Sequence, residues 1–359
     1  MKMWNTLTKA LAFFIVFLGI CNSVLLTLSV ISPHVPIDQG SIVSVLGLFF
    51  PIFFIVQIII TSIVGLLKRK VFWFLFFIVI ISLPSFSKVY GFNFLSGGDD
   101  NIDKAVTVAS FNMQFSKPIS LLSEAEAEVQ TEKFKQELKG HNDIDIMSVQ
   151  EYGWRSKAII ESSLRYKYTH TIEGKTVGIL SRYPIVNSGL VDFKSNIANT
   201  CLWADIVLDD DTLRCYSFHL ESNRHDGHVP DMITQDGQET KTLSMMIGIV
   251  KHYTQFSVKR FSQIQMILNH VSYCDYPILL CGDLNDTPQS YNYKTLVDNY
   301  KDAFLEVGKG SGQTIESRVP LLRIDYILGS SDINFIDYKC DASLYSDHYI
   351  IKSAFAIGR

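Results

Sequence analysis

Charged side chains are scarce in the first 99 residues of this 359-residue chain. That stretch holds six of the 32 lysines and arginines and two of the 36 aspartates and glutamates. The remaining 26 basic and 34 acidic residues give residues 100–359 a net charge of −8. This division argues against one uniform soluble domain, and it predicts an apolar membrane region followed by an acidic globular region.

Three apolar runs fill the first region, and they predict membrane spans at about residues 8–31, 42–66 and 71–88. A helix needs about 20 apolar residues to cross the hydrocarbon core. The third run is short and is interrupted by Pro84, so it would need flanking residues or local thinning of the bilayer to cross. We assign residues 1–91 to a membrane region with three spans.

The basic residues predict the orientation of these spans. Lys2 and Lys9 precede the first run and residues 68–70 (KRK) precede the third, whereas the segment 33–41 contains no lysine or arginine. The positive-inside rule then predicts an integral membrane protein with a cytoplasmic N-terminus and an extracytoplasmic second region. A cleaved signal peptide is the alternative for the first run, although two more apolar runs follow it. If the third run only dips into the membrane, the second region would be cytoplasmic.

The sequence also lacks any C-x-x-C pair, and the second region contains five cysteines, an odd number. Cys215 and Cys281 lie in apolar runs and are expected to be core residues. One disulfide is conceivable, but the spacing does not select a pair. Cysteine therefore gives no evidence for a thiolate metal site.

The sequence of the second region predicts an α+β domain. After a Gly- and Asp-rich linker at 92–103, residues 104–359 contain many short strand-like runs and a few helical patterns, without strict alternation of the two. The strand-like runs are 105–114, 145–151, 176–182, 202–208, 213–221, 277–283, 323–329 and 349–357. Residues 123–140 and 257–271 have helical patterns. The apolar face predicted for the second helix comprises Val258, Phe261, Ile264, Leu268 and Val271.

Polar side chains with oxygen or imidazole groups lie in or directly after many of these runs. They are Asn112, Glu151, His219, Asp283, Asn285, Asp286, Asp325, Asp347 and His348. Each has an ordinary explanation: a turn after a strand for residues 283–286, a core histidine for His219, or an ion pair with Arg323 for Asp325. Buried charges are costly unless they are paired or bind metal, so the recurrence of one chemistry predicts that these side chains converge.

The chemistry of this set favours phosphate-ester hydrolysis. Carboxylates and amides without thiolates suit a hard cation, Mg²⁺ or Mn²⁺, better than zinc. Histidines beside carboxylates suit proton transfer or stabilisation of a developing anion. Together they suit hydrolysis by a metal-activated water.

The motifs SFNMQ, VQE, GILSRYP, FHLE, GDLND, RIDYIL and SDHY occur in this order, and over residues 104–358 they resemble the endonuclease/exonuclease/phosphatase superfamily. The resemblance implies a two-layer β-sandwich flanked by helices, with the site at one end of the sheets. It also implies cleavage of phosphodiesters or phosphomonoesters with a divalent cation.

Residue roles follow from this resemblance, motif by motif. Glu151 would be the principal metal ligand, assisted by Asn112 and Asp347. Asp283 would orient or deprotonate the attacking water, and Asn285 and His219 would contact the phosphate. His348 would stabilise the pentavalent phosphorus, with Asp325 holding the imidazole. Asp286 lies outside the motif and is interpreted as a turn residue.

Two features leave the substrate open. Many nucleases of the superfamily have an acidic residue where this chain has Gln114, so the number of metal ions is in doubt. The charge of −8 and the lack of a basic helical cluster argue against DNA, whereas the predicted anchor favours lipid head groups, sugar phosphates or nucleotides. No protein partner is predicted. A nuclease of the same fold and an inactive membrane-tethered binding module are the alternatives.

The polar insert at 224–240 follows His219 closely and could shape the choice of substrate. Its His225 and His228 are either additional ligands or solvated loop residues, and we favour the second interpretation.

Overall fold

The computed structural model describes residues 2–37, 41–93, 105–194, 199–209, 211–222 and 240–358. The helices are α1 Lys2–Ile31, α2 Ser41–Leu48, α3 Phe50–Leu66, α4 Phe72–Phe86, α5 Lys117–Ser120, α6 Glu124–Lys139, α7 Trp154–Ser163, α8 Thr240–Val271, α9 Tyr291–Val297 and α10 Ala303–Val307. The strands are β1 Tyr90–Phe92, β2 Val106–Asn112, β3 Ile146–Gln150, β4 Tyr168–Thr171, β5 Gly178–Ser181, β6 Ile185–Val191, β7 Thr200–Leu208, β8 Asp211–His219, β9 Ile278–Asp283, β10 Lys301–Asp302, β11 Lys309–Ser311, β12 Asp325–Gly329, β13 Ile333–Phe335, β14 Lys339–Asp341 and β15 Ile350–Ile357. The insert with His225 and His228 lies outside the described residues.

Two large sheets form the globular part. The seven-stranded sheet has the order β13-β15-β2-β3-β5-β4, with β14 also paired to β15, and the six-stranded sheet has the order β10-β12-β9-β8-β7-β6. Each predicted strand-like run corresponds to one of these strands. The α+β class with sheets flanked by helices, expected from the sequence, is confirmed.

Three apolar layers hold the sheets and helices together. Alternate residues of a strand face opposite sides of its sheet. In β2, Val108 therefore packs between the sheets, and Phe111 packs against Phe134 of α6 on the outer side. The outer side of the six-stranded sheet is covered in the same way by α8 and α9, through Ile264 and Leu296. The layers fix the sandwich, so that one end of both sheets can carry polar groups.

That polar end is set by strand direction. β2 runs parallel to β3, and β8 runs parallel to β9, so their last residues lie at one end of the sandwich. β12 and β15 run antiparallel to these strands and begin at the same end. We refer to it as the site end.

Gly282 is required by the close approach of β8 and β9. A Cβ atom on Gly282 would lie 2.0 Å from the carbonyl oxygen of Phe218, and this neighbour is backbone that cannot rotate away. We expect Gly282→Ala to lower the free energy of unfolding by about 1–3 kcal/mol, because overpacking forces the backbone to shift. Gly140→Ala at the end of α6, where the backbone is helical, is the matched control and should change stability by less than about 0.5 kcal/mol. Equal unfolding midpoints for the two variants would contradict this account.

The apolar face predicted for α8 is partly wrong. Ile264 and Val271 are buried as expected, but Val258 is 47% exposed, and the fully buried Arg260 lies on the inner face. Arg260 is buried because its guanidinium pairs with Asp286 at 3.3 Å. A buried charge with a partner from another element cannot be recognised from helical periodicity, which assigns charged residues to the exposed face.

The predicted number of three membrane spans is not confirmed. Among the described residues, one helix, Leu7–His34, is long and apolar enough to cross a bilayer by itself. The second predicted span is broken into α2 and α3 by a bend of 70°, and α4 is a shorter apolar helix. Pro51 explains the break, because its ring would clash with the carbonyl four residues earlier in a continuous helix.

The N-terminal helices pack on one another and on the globular part. Asn22 of α1 donates a hydrogen bond to Gln57 of α3 at 2.8 Å, inside an otherwise apolar bundle. Strand β1 follows α4 and pairs with β11, so the proposed boundary at residues 91/92 falls inside a strand. The pairing of β1 with β11 therefore joins the end of the helical region to the globular part.

Candidate active site

The seven-stranded sheet contributes Asn112 and Glu151. Asn112 is the last residue of β2, and Glu151 directly follows β3. The Asn112 side-chain amide donates to Asp283 Oδ2 at 3.0 Å and lies 3.5 Å from Glu151 Oε1. Its Oδ1 accepts from the backbone N–H of Gln114 at 3.0 Å. The amide thus holds two carboxylates that belong to different sheets.

The six-stranded sheet contributes His219 and Asp283. They end the parallel strands β8 and β9 and are directly paired in the register. His219 Nε2 lies 3.7 Å from Asp283 Oδ2 and 3.8 Å from Glu151 Oε1. This buried imidazole therefore lies beside both carboxylates.

Asp325 and His348 form a buried pair. His348 Nδ1 lies 3.0 Å from Asp325 Oδ2, and His348 Nε2 lies 3.9 Å from Asp283 Oδ2. The alternative ion pair between Asp325 and Arg323 does not form, since Arg323 points away and binds Asp302 at 2.7 Å. Asp325 therefore fixes the ring of His348 and leaves Nε2 directed at the cluster.

Asn285, Asp347 and Asp286 have different surroundings. The Asn285 side chain donates to the Leu220 carbonyl at 3.0 Å, and its backbone N–H donates to Asp283 Oδ1 at 2.8 Å. Asp347 Oδ1 lies 3.9 Å from His348 Nε2 at the rim. Asp286 is buried away from these groups. It accepts hydrogen bonds from Tyr253 and Asn292 and forms an ion pair with Arg260. Asp286 is thus part of the scaffold.

Backbone strain accompanies two of the site residues. Glu151 and Asn285 have φ values of +48° and +54°, in the left-handed region that non-glycine residues seldom adopt. Such conformations cost on the order of 1–3 kcal/mol and persist only where the surroundings enforce them. Glu151 directly follows β3, and Asn285 lies two residues after β9, so the strain lies at the two strand ends that form the site.

The charges of the site are strongly coupled. Burial, followed by repulsion from Asp325, raises the pKa of Asp283 to about 6 against the opposing pull of His348 and His219. Burial alone would lower the pKa of His348, but Asp325, Asp283 and Asp347 outweigh it and raise the pKa to about 10. His348 is therefore a cation at neutral pH, and Asp283 can exchange a proton near neutral pH.

Sequence reasoning missed three supporting residues. Thr314 Oγ1 accepts from the backbone N–H groups of Ile324 and Asp325, and Ser346 Oγ donates to the Asn112 carbonyl at 2.7 Å. Gln150 links the sheets through buried serines. Ser346 could have been found as the residue before the Asp-His pair, whereas Thr314 has no signal because it acts from a distant loop.

A family model described as the endonuclease/exonuclease/phosphatase family matches residues 109–348, about two thirds of the chain. The chain belongs to this family. Its members are hydrolases that act on phosphate esters, and the match includes every candidate site residue from Asn112 to His348. A second family model, a domain of unknown function (DUF8431), matches residues 12–89. The comparison with curated proteins gave no match.

Solved structures of the endonuclease/exonuclease/phosphatase family share the fold. A Bacteroides vulgatus family member superposes with a TM-score of 0.52 at 16% identity, covering 70% of this chain and 99% of the other. Humanised D. rerio TDP2 gives the same values. A protein of unknown function from Enterococcus faecalis gives 0.51 at 14% identity, covering 70% of this chain and 100% of the other.

The residues present fit a divalent cation, which enzymes of the endonuclease/exonuclease/phosphatase family typically use. Asp283, Asp325 and His348 offer atoms that all lie within 4.8 Å of one another. The carboxylate of Glu151 adjoins this group, since its Oε1 lies 3.8 Å from His219 Nε2, and it is partly accessible.

Proposed function

We propose that this protein is a membrane-anchored phosphoesterase that hydrolyses a phosphodiester or phosphomonoester with Mg²⁺ or Mn²⁺. The observation that carries the proposal is the convergence of His219, Asp283 and His348 from three separated segments onto one buried cluster. A purely structural cluster would not need a cationic imidazole aimed at two buried carboxylates, because that arrangement is costly to bury.

The geometry of the cluster supports a proposed role for each residue. Asp283, whose pKa of about 6 suits a base near neutral pH, accepts a proton from the attacking water. His348, oriented by Asp325, donates a hydrogen bond to a phosphate oxygen as negative charge develops on it. Asn285 and His219 contact the same phosphate. The new bond joins the water oxygen to phosphorus, and the ester bond to the leaving oxygen breaks.

Glu151, Asn112 and Asp347 are the residues proposed to hold the cation at the rim of this cluster. When bound, the cation would lower the pKa of a bound water and neutralise charge on the phosphate. Gln114, in place of an acidic residue, contributes only its backbone N–H to Asn112.

The membrane arrangement is part of the proposal. Residues 1–91 form the membrane region, and residues 104–359 form the catalytic domain. If α1 and α4 both cross the bilayer, the positive-inside rule would place Lys9 and residues 68–70 in the cytoplasm and the C-terminal ends of α1 and α4 on the other side. The catalytic domain would then be extracytoplasmic.

Metal removal tests the proposal. We expect the full-length protein in detergent to hydrolyse bis-p-nitrophenyl phosphate or p-nitrophenyl phosphate with Mg²⁺ or Mn²⁺, and EDTA to reduce the rate by about 100-fold or more. Re-addition of Mg²⁺ should restore the rate. Hydrolysis that persists undiminished in EDTA would overturn the metal-dependent mechanism.

The same assay separates the alternatives when plasmid DNA and single-stranded DNA are included. Rapid cleavage of DNA with the small esters left intact would favour a nuclease. Absence of hydrolysis from folded protein that still binds Mg²⁺ would favour a membrane-tethered binding module.

A further inference from the structure

Two aromatic side chains stand exposed beside the proposed metal ligand. Phe115 lies three residues after Asn112 and is 42% exposed, and Trp154 lies three residues after Glu151 and is 79% exposed. They belong to adjacent connections, since the Phe115 backbone N–H donates to the Glu151 carbonyl at 3.0 Å. Because β2 and β3 end at the site end, both aromatics lie at the mouth of the site.

Two leucines on the same connection are also exposed. Leu121 and Leu122 lie on the connection that also carries Phe115, and Leu121 is 75% exposed. We call Phe115, Leu121, Leu122 and Trp154 the apolar rim. Burying apolar surface gains about 25 cal/mol of free energy for each Å². An exposed cluster of such side chains therefore indicates an interaction surface.

Cationic groups adjoin the apolar rim. The guanidinium of Arg155 lies 5.1 Å from the centre of the Trp154 ring, and Lys157 is exposed in the first turn of α7. Tryptophan, apolar side chains and basic residues in one patch are the combination that proteins use at the interfacial zone of a bilayer.

The N-terminal helices dock at the same end of the sandwich. Gln289, six residues after Asp283, donates to the Ser85 carbonyl at 3.2 Å at the end of α4. Arg323, two residues before Asp325, donates to the Lys88 carbonyl at 3.0 Å. The apolar helices therefore approach the domain from the end at which the site opens, and not from the opposite end.

We propose that the apolar rim lies in the surface of the bilayer that holds the N-terminal helices, and that the substrate is a phosphate ester of a membrane lipid. This inference rests on the proposed phosphoesterase function. The docked helices are continuous with the bilayer, and they keep the site end facing it. The lipid phosphate enters between the rim and these helices, so an acidic domain needs no basic groove to recruit its substrate.

The reaction is a hydrolysis that consumes one water. The water oxygen bonds to phosphorus, and the bond from phosphorus to the lipid oxygen breaks. The water proton passes to Asp283 and then to solvent, and the leaving oxygen takes a proton to become a lipid hydroxyl. The phosphate, free or still attached to a head group, is released.

The test uses the full-length protein reconstituted in equimolar phosphatidylcholine, phosphatidylglycerol and phosphatidic acid vesicles. We expect Trp154→Ala and Leu121→Ser each to lower lipid hydrolysis about tenfold, while hydrolysis of bis-p-nitrophenyl phosphate is unchanged. Tyr273→Ala is the matched control, because Tyr273 is 81% exposed on the connection before β9, at the opposite end of the sandwich. It should alter neither activity.

A second measurement does not depend on activity. In a variant with Trp4→Phe and Trp73→Phe, which retains Trp154 and Trp203, brominated phosphatidylcholine should quench the part of the fluorescence that comes from Trp154, and Trp154→Phe should abolish that quenching. Unquenched Trp154, or rim variants that lower lipid and soluble-ester hydrolysis equally, would overturn the proposal.

The assays separate the two levels of inference. Hydrolysis of the soluble ester with vesicle lipids left intact would refute the lipid substrate and leave the phosphoesterase in place. Loss of both activities in the unaltered protein would refute the phosphoesterase itself. Cleavage of single-stranded DNA with lipid left intact would replace the lipid by a nucleic acid.

Discussion

Replacement of Asp283 by asparagine is expected to lower the rate of metal-dependent hydrolysis by roughly 10²- to 10⁴-fold, which is the range contributed by a positioned general base. The side chain is buried at the end of β9 with Asn112, His219 and His348 around it. Asparagine keeps the shape of aspartate but cannot accept the proton of the attacking water. The measurement is the turnover number for bis-p-nitrophenyl phosphate at saturating Mg²⁺.

Asp275→Asn is the control for this substitution, because Asp275 is exposed just before β9, at the opposite end of the same strand. It should leave the turnover number unchanged. Binding of Mg²⁺ by Asp283→Asn should also be retained if Glu151 is the principal ligand. Unchanged turnover in Asp283→Asn would refute the assignment of this residue as the base.

The second substitution with a large expected effect is that of Arg323, and the effect is on stability. We expect Arg323→Ala to lower the free energy of unfolding by about 3–5 kcal/mol, because it leaves the buried carboxylate of Asp302 without its cation. Arg323 binds Asp302 at 2.7 Å and also donates to Tyr293 Oη at 3.2 Å and the Lys88 carbonyl. Its guanidinium packs on Phe304 at 4.8 Å from the ring centre. Denaturant unfolding of the full-length protein in detergent measures the change.

Two comparisons make this prediction specific. The double variant R323M/D302N should be less destabilised than Arg323→Ala, since no uncompensated charge remains buried. Lys294→Ala breaks the partly exposed pair with Asp298 and should cost less than about 1 kcal/mol. If Arg323→Ala unfolds at the same denaturant concentration as Lys294→Ala, the buried pair of Arg323 and Asp302 does not stabilise the folded protein as proposed.

The strands could be predicted because their signal is local. Short apolar runs such as 277–283 are recognised from their own residues, and each one corresponds to a strand of the structure. Convergence of the polar residues was also predictable, since charges that end buried strands must find partners. The sequence motifs added the roles, which remain proposals until they are tested.

One error comes from a partner that is distant in the sequence. The face of α8 was misjudged because Arg260 is buried against Asp286. The second apolar run is still a candidate span, but it is bent by 70° between α2 and α3, and α2 packs against the globular part. Pro51, which accounts for the bend, is visible in the sequence, whereas the packing of α2 on the globular part is not.

Sequence reasoning was sufficient for the α+β class, the apolar character of residues 1–91 and the identity of the polar residues at the strand ends. Only the three-dimensional packing shows that Asp325 pairs with His348 and not with Arg323, and that the N-terminal helices dock at the site end. The physical reason is the separation along the chain over which each kind of interaction acts. Propensity and periodicity act between near neighbours along the chain, whereas the pairing of buried charges depends on which groups the packing of the sheets brings within a few ångströms.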